Sequence, residues 1–176
     1  MNTFLKVMRD AVALAIVLLV ARVSAQVPSA IAVSGGAVLV TVHAVGAQIY
    51  ECKADSDEAS PLRVSALSWQ FREPIATLIA DGKSTGWHYA GPNWEDVDGS
   101  GVKGQTVASA PGATPNDIPW LKLNVVDRHG DGVLSRATMV QRINTRGGML
   151  QGHCESAGSL RSVPYSADYV FMRKSS

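Results

Sequence analysis

The chain has 176 residues, 18% of them charged, and a formal net charge of +1. That length suits one domain. A near-neutral chain with no basic block offers no electrostatic footprint for nucleic acid or anionic lipid, so neither is expected as a partner.

In chain order, the first element is not part of the folded domain. Lys6 and Arg9 precede an apolar run from Ala11 to Ala21, and the short residues Val23-Ser24-Ala25 follow it. This is the three-part layout of a secretory signal peptide. The run falls well short of the ~20 residues that cross a bilayer as a helix. No cysteine sits just behind it, which excludes a lipoprotein anchor there. The expected organisation is a signal-peptide helix over 1–25, an N-terminal arm over 26–37 and one all-β domain over 38–176. The mature protein is expected to be secreted or periplasmic, with no stable membrane insertion after cleavage.

Period-two alternation then recurs to the end of the chain. Val38, Val40 and Val42 share a face, and Ile49–Cys52 reads as a second strand. Residues 53–61 are polar and end in Pro61, which reads as a loop. Trp69 and Phe71 flank Gln70, which puts both aromatics on one side. Asp81-Gly82 separates Thr77–Ala80 from Thr85–Ala90, and Gly130-Asp131-Gly132 separates Trp120–Val126 from Val133–Ile143. Such turns accept the positive φ of tight hairpins. Residues 108–119, with Pro111, Pro115 and Pro119, exclude a central strand. Leu121, Leu123 and Val125 alternate with Lys122 and Asn124, the cleanest inside/outside signal in the chain. Tyr165, Ala167, Tyr169 and Phe171 alternate again near the end. No segment of the domain keeps a helical apolar period. The fold expected is all-β, a single-domain antiparallel β-sandwich of jelly-roll type or a closed barrel.

Cys52 and Cys154 both lie beyond the signal peptide. In an oxidising compartment, two cysteines in one small domain pair. The alternatives are two buried thiols or a bridge between chains. Neither cysteine lies in a C-x-x-C arrangement, and no His-x-His or His-x-x-x-His spacing supports a metal site from His88, Glu95 and His153. No metal and no cofactor are expected.

Three motif matches lack their physical context. Gly99-Ser-Gly-Val-Lys-Gly104 fits the dinucleotide fingerprint, but no helix follows to cradle a pyrophosphate. Gly82-Lys-Ser-Thr-Gly86 fits the nucleophile elbow, yet it sits in an expected hairpin rather than a strand-to-helix turn. Asp127–Gly132 has the flavour of a calcium loop without the far acidic ligand.

The richest stretch is 86–100, with Trp87, Tyr89 and Trp94 beside His88, Glu95, Asp96 and Asp98. In a strand, His88 points away from Trp87 and Tyr89, so one face is core and the other lines a cleft. A histidine near a carboxylate suits acid–base work, and aromatics beside acidic groups suit a pocket for a sugar or another small ligand. The same residues also suit plain packing: tryptophans fill cores, and His88 can bond a loop carbonyl.

The motifs Gly46–Cys52, Trp69-Gln-Phe71, His88–Glu95, Asp98-Gly-Ser100, Pro119-Trp-Leu121, Gln141–Thr145 with Gly147-Gly148, and Val163–Phe171 recur in that order. Together they resemble a secreted family of unknown function, found in bacteria and fungi, whose fungal members are sometimes labelled malate dehydrogenase. The resemblance covers nearly all of 38–172 and implies an exported domain with a cysteine pair. It implies no activity. The dehydrogenase label has no physical support here, since the chain has no βαβ unit. One departure is that Gly147-Gly148 runs into Met149-Leu150-Gln151, where related chains carry a proline.

The leading expectation is an exported, non-catalytic domain binding a small-molecule or carbohydrate ligand through His88, Tyr89, Trp94, Glu95 and Asp98. The alternatives are a secreted, hydrolytic enzyme using His88 with Glu95 or Asp98, and a structural cell-envelope domain. The sequence sets neither the oligomeric state nor the choice between sandwich and barrel.

Overall fold

A computed structural model describes residues 26–55 and 66–174. The expected signal peptide, and the part of the 53–61 loop from residue 56 onward, lie outside the described residues. Eight antiparallel strands follow one another round a ring: β1 (Gly36–Ala54), β2 (Leu67–Ala80), β3 (Lys83–Tyr89), β4 (Asn93–Asp96), β5 (Gly101–Ala110), β6 (Trp120–His129), β7 (Met139–Gly147) and β8 (Leu160–Lys174). Each pairs with the next, and β8 pairs back along β1 from Gly36↔Lys174 to Glu51↔Leu160. The all-β expectation is met in its barrel form. Among the described residues, no helix is long and apolar enough to cross a membrane.

Alternation decides which residues face inward. Leu121 and Leu123 face the core while Lys122 and Asn124 face out, as read from the sequence. Tyr165, Ala167, Tyr169 and Phe171 are all buried in that core. Val38–Val42 and Ile49–Cys52, expected as two strands, are one strand of 19 residues. Gly46 between them carries the strand through a point where β2 comes so close that any Cβ would collide with the backbone of Ile75 and Ala76. At Asp81-Gly82 the expected tight hairpin forms, with φ of 49° and 72° at the two turn residues.

The second expected hairpin differs. Residues 130–138 make a longer connection containing a single 3-10 turn, Leu134–Arg136, and Leu134 is buried in the barrel core. A two-residue turn would have no side chain to place there. Asp98 holds this connection in position. Its carboxylate accepts from the backbone N–H of Val133 (2.7 Å) and from that of Ser100 (2.9 Å), while Ser100 Oγ accepts from Leu134 N–H (3.1 Å). One end of the barrel is thereby plugged.

The N-terminal arm packs outside the wall. Ile31, in a 3-10 turn, joins Trp120 and Ala110 in a small outer cluster, and Gln141 Nε2 donates to the Ile31 carbonyl at 2.6 Å. Cys52 and Cys154 form the expected disulfide, with Cα atoms 5.9 Å apart across a sequence separation of 102. It ties the end of β1 to the connection before β8. A loop of that length gives roughly 4–5 kcal/mol in the chain-entropy model. Replacing both cysteines by alanine should therefore lower unfolding free energy by about 2–5 kcal/mol in urea titrations. A loss under about 1 kcal/mol would show that the unfolded chain is not constrained by this bond.

Candidate functional site

In an up-and-down ring, successive connections alternate between the two ends. The 97–100 and 130–138 connections close one end; the 90–92, 111–119 and 148–159 connections lie at the other. There the described residues do not fill the interior. A cavity of about 520 Å³ opens between Trp69 and Phe71 of β2, Gly91-Pro92, Ile118-Pro119 and Met149–Gln151. Its walls carry Gln48, Tyr50, His88, Leu121 and Arg142 from β1, β3, β6 and β7. Ligand sites occupy about 300–1,000 Å³ and favour barrel mouths, and an eight-stranded barrel has room for one small ligand.

Beneath the cavity lies an aromatic layer. His88 stacks on Trp94 with centroids 4.6 Å apart and planes 6° from parallel. Tyr169 meets both edge-on, at 5.0 and 5.3 Å. The pairing His88↔Trp94 across β3 and β4 puts the two rings on the same inner face. Gly104 makes room for the indole, since a Cβ there would stand 2.9 Å from Trp94 Cζ3. His88 Nδ1 lies 2.7 Å from the Asn93 carbonyl. A carbonyl only accepts, so Nδ1 carries the proton and donates.

The five residues expected to form one site separate into three places. His88 and Trp94 are inside, buried together. Tyr89 and Glu95 are outside: Tyr89 Oη donates to Glu95 Oε1 at 2.9 Å, and Glu95 Oε2 meets His129 Nε2 at 2.9 Å. The hydrogen bond to Glu95 raises the Tyr89 hydroxyl pKa. Asp98 fastens the plugged end. Burial works against its charge, but hydrogen bonds from Ser100 and Val133 win and hold its carboxyl below the ordinary range. Neither Glu95 nor Asp98 shares the cavity with His88. Trp87, read as packed, is about half exposed on the outer face, because it alternates with His88.

The cavity instead gathers residues that the sequence reading passed over. Tyr50 Oη donates to the Gly148 carbonyl at 2.7 Å and accepts from Leu150 N–H at 3.3 Å, which anchors one side of the mouth. Arg142 Nε and Nη2 donate to the Pro119 carbonyl at 3.0 and 2.9 Å. Gln48 Nε2 is buried with no hydrogen-bond partner. The legible signal was phase: Gln48 falls in step with inward Val42 and Ala44, and Arg142 with inward Val140.

Burial lowers the His88 pKa to about 4; the Asn93 carbonyl opposes this and the charge of Arg142 adds to it. The unfolded chain therefore takes the proton more readily than the folded one. The stability from a neutral His88 is complete above pH 6.5 and drains away as pH falls toward 4, by roughly 3 kcal/mol in all. Urea unfolding at pH 7 and pH 4.5 should show a smaller decline in His88→Phe than in wild type. Equal declines would sink this assignment.

A family model described as "Protein of unknown function (DUF3455)" matches residues 33–173. Comparison with curated proteins finds no match, and comparison with solved structures finds none. The matched span runs from the arm to within one residue of the end of β8, and the chain belongs to this family of proteins of unknown function.

Proposed function

We propose that this chain is an exported, non-catalytic binding barrel that takes one small, largely apolar ligand into the cavity at its open end. The observation that carries the reading is the contrast between the two ends. Leu134 plugs one, while at the other Tyr50, Trp69, Phe71, Leu121 and Leu150 line about 520 Å³ of space. Protein interiors pack as densely as organic crystals, so space of that size among apolar side chains is unusual in a structural domain.

Export is supported by the signal-peptide layout of 1–25 and by the disulfide, which persists in oxidising compartments. The wall turns apolar residues inward and charged ones such as Lys103, Lys122 and Asp127 outward, the inverse of a barrel seated in lipid.

The chemistry of His88 favours binding over catalysis. Its Nδ1 is committed to a backbone carbonyl, its ring is stacked on Trp94, and burial keeps it neutral down to about pH 4. A general base works best with a pKa near the working pH and a partner that steadies its charged form. Among the described residues lining the cavity there is no carboxylate to do so.

The neutral fluorophore N-phenyl-1-naphthylamine tests the reading. It should bind wild type at one molecule per chain, with enhanced emission. Leu121→Trp, which fills the cavity from β6, should keep the β-sheet circular dichroism and lose the binding. Undiminished binding by a folded Leu121→Trp protein would overturn the proposal.

A further inference from the structure

The cavity has a polar side that an apolar ligand alone leaves unanswered. Arg142 projects from β7 into the barrel, and its charge acts on Tyr50, His88, Tyr165 and Tyr169, all inward-facing residues. A guanidinium carries five N–H donors; among the described residues Nε and Nη2 of Arg142 donate to the Pro119 carbonyl, and the guanidinium also acts on the Tyr169 hydroxyl as a hydrogen-bond donor, so its partners are neutral oxygens. No ion pair joins Arg142 to a carboxylate among the described residues. The other cation of the lining, Arg72, is already matched by Glu73 at 3.1 Å and Glu51 at 3.8 Å. On β1, Gln48 is 2% exposed, lines the same cavity and leaves Nε2 without an acceptor.

A buried donor without an acceptor and a half-buried charge without a counter-charge both disfavour the empty barrel. Each is answered by the same kind of group, an acceptor bearing negative charge. Because Arg142 is the one cation of the lining left without a counter-charge among the described residues, the complementary head is singly charged. Because Phe71, Leu121, Ile118 and Leu150 make the rest of the lining, the body is apolar.

Resting on the binding reading above, we propose that the natural occupant is an apolar carboxylic acid, its carboxylate held by Arg142 and Gln48 and its body lying among the aromatic and aliphatic residues of the open end. The planar guanidinium of Arg142 can donate N–H groups to a carboxylate's two oxygens in the geometry that makes such pairs strong. His88 stays neutral beneath them and adds no second positive charge.

Competition against bound N-phenyl-1-naphthylamine tests this with matched pairs: decanoate against decanol, and 2-naphthoate against 2-naphthamide. The expected result is that at least one acid displaces the probe roughly tenfold or more better than its neutral partner. Whichever acid does so tells a chain-like ligand from an aromatic one. In Arg142→Met the preference for the acid should vanish while the neutral partner competes as before. In Gln48→Leu, which keeps the charge, it should shrink by several-fold.

Equal competition by acid and neutral partner in wild type overturns the carboxylate proposal and leaves the binding barrel standing. Failure of the probe itself to bind removes both. If Arg142→Met does not fold, the wild-type pairs and the Gln48→Leu protein still decide.

Discussion

The seam between β1 and β8 is what the rest of the structure depends on. Fifteen residue pairs, from Gly36↔Lys174 to Glu51↔Leu160, join the first and last strands and turn a row of eight into a ring. Without that seam, two edges would expose unpaired backbone donors and acceptors. With it, the barrel has an inside of limited volume, and every inward residue competes for that space. The disulfide reinforces the same closure, joining Cys52 near the end of β1 to the connection that leads into β8.

Closure also makes the two ends chemically different. At the plugged end the connection is held by polar contacts: Asp98 receives the Val133 and Ser100 N–H groups, and Ser100 receives that of Leu134. This network lets Leu134 turn inward beside Phe171 and Val140. Midway along the barrel, the stacked rings of His88 and Trp94 with Tyr169 form a rigid layer. Above that layer, among the described residues, the connections at 90–92, 111–119 and 148–151 line a cavity instead of filling the interior.

Much of this fold was legible because its signals are local. Leu121-Lys-Leu-Asn-Val125 states its two faces outright, and Asp81-Gly82 allows little besides a tight turn. Other features depend on contacts distant in sequence. Gly46 reads as a break, and only the close approach of β2 shows why the strand runs through it. The connection at 130–138 reads as a tight turn because nothing local reveals that Leu134 has a core to fill. The candidate site was hardest for the same reason. Segment 86–100 concentrates chemically expressive residues in sequence, but β3 and β4 send alternate ones to opposite sides of a thin wall. His88 and Glu95 therefore lie on opposite faces, although they are seven residues apart. Arg142 and Gln48 share a cavity across nearly a hundred residues, a proximity no local pattern carries.

The residues that weaken the fold are the more informative ones. A buried ionic or polar group contributes little stability beside a well-packed apolar one, and an unanswered one costs about 1–3 kcal/mol. Leucine at 48 and 142 would fit the apolar phase of β1 and β7 and relieve that cost. At the plugged end Ser100 is fully engaged, although Thr85 Oγ1 is buried without a partner, as are the indole N–H groups of Trp94 and Trp120. The open end, in the same barrel and under the same closure, leaves Gln48 Nε2 unanswered and Arg142 without a counter-charge among the described residues. Departures from local consistency gather where a protein gives up stability for a task. Two of them, the unanswered Gln48 Nε2 and the Arg142 charge, face the same cavity of about 520 Å³ at the open end, and it is this pairing of polar mismatch with space on which the proposed binding reading rests.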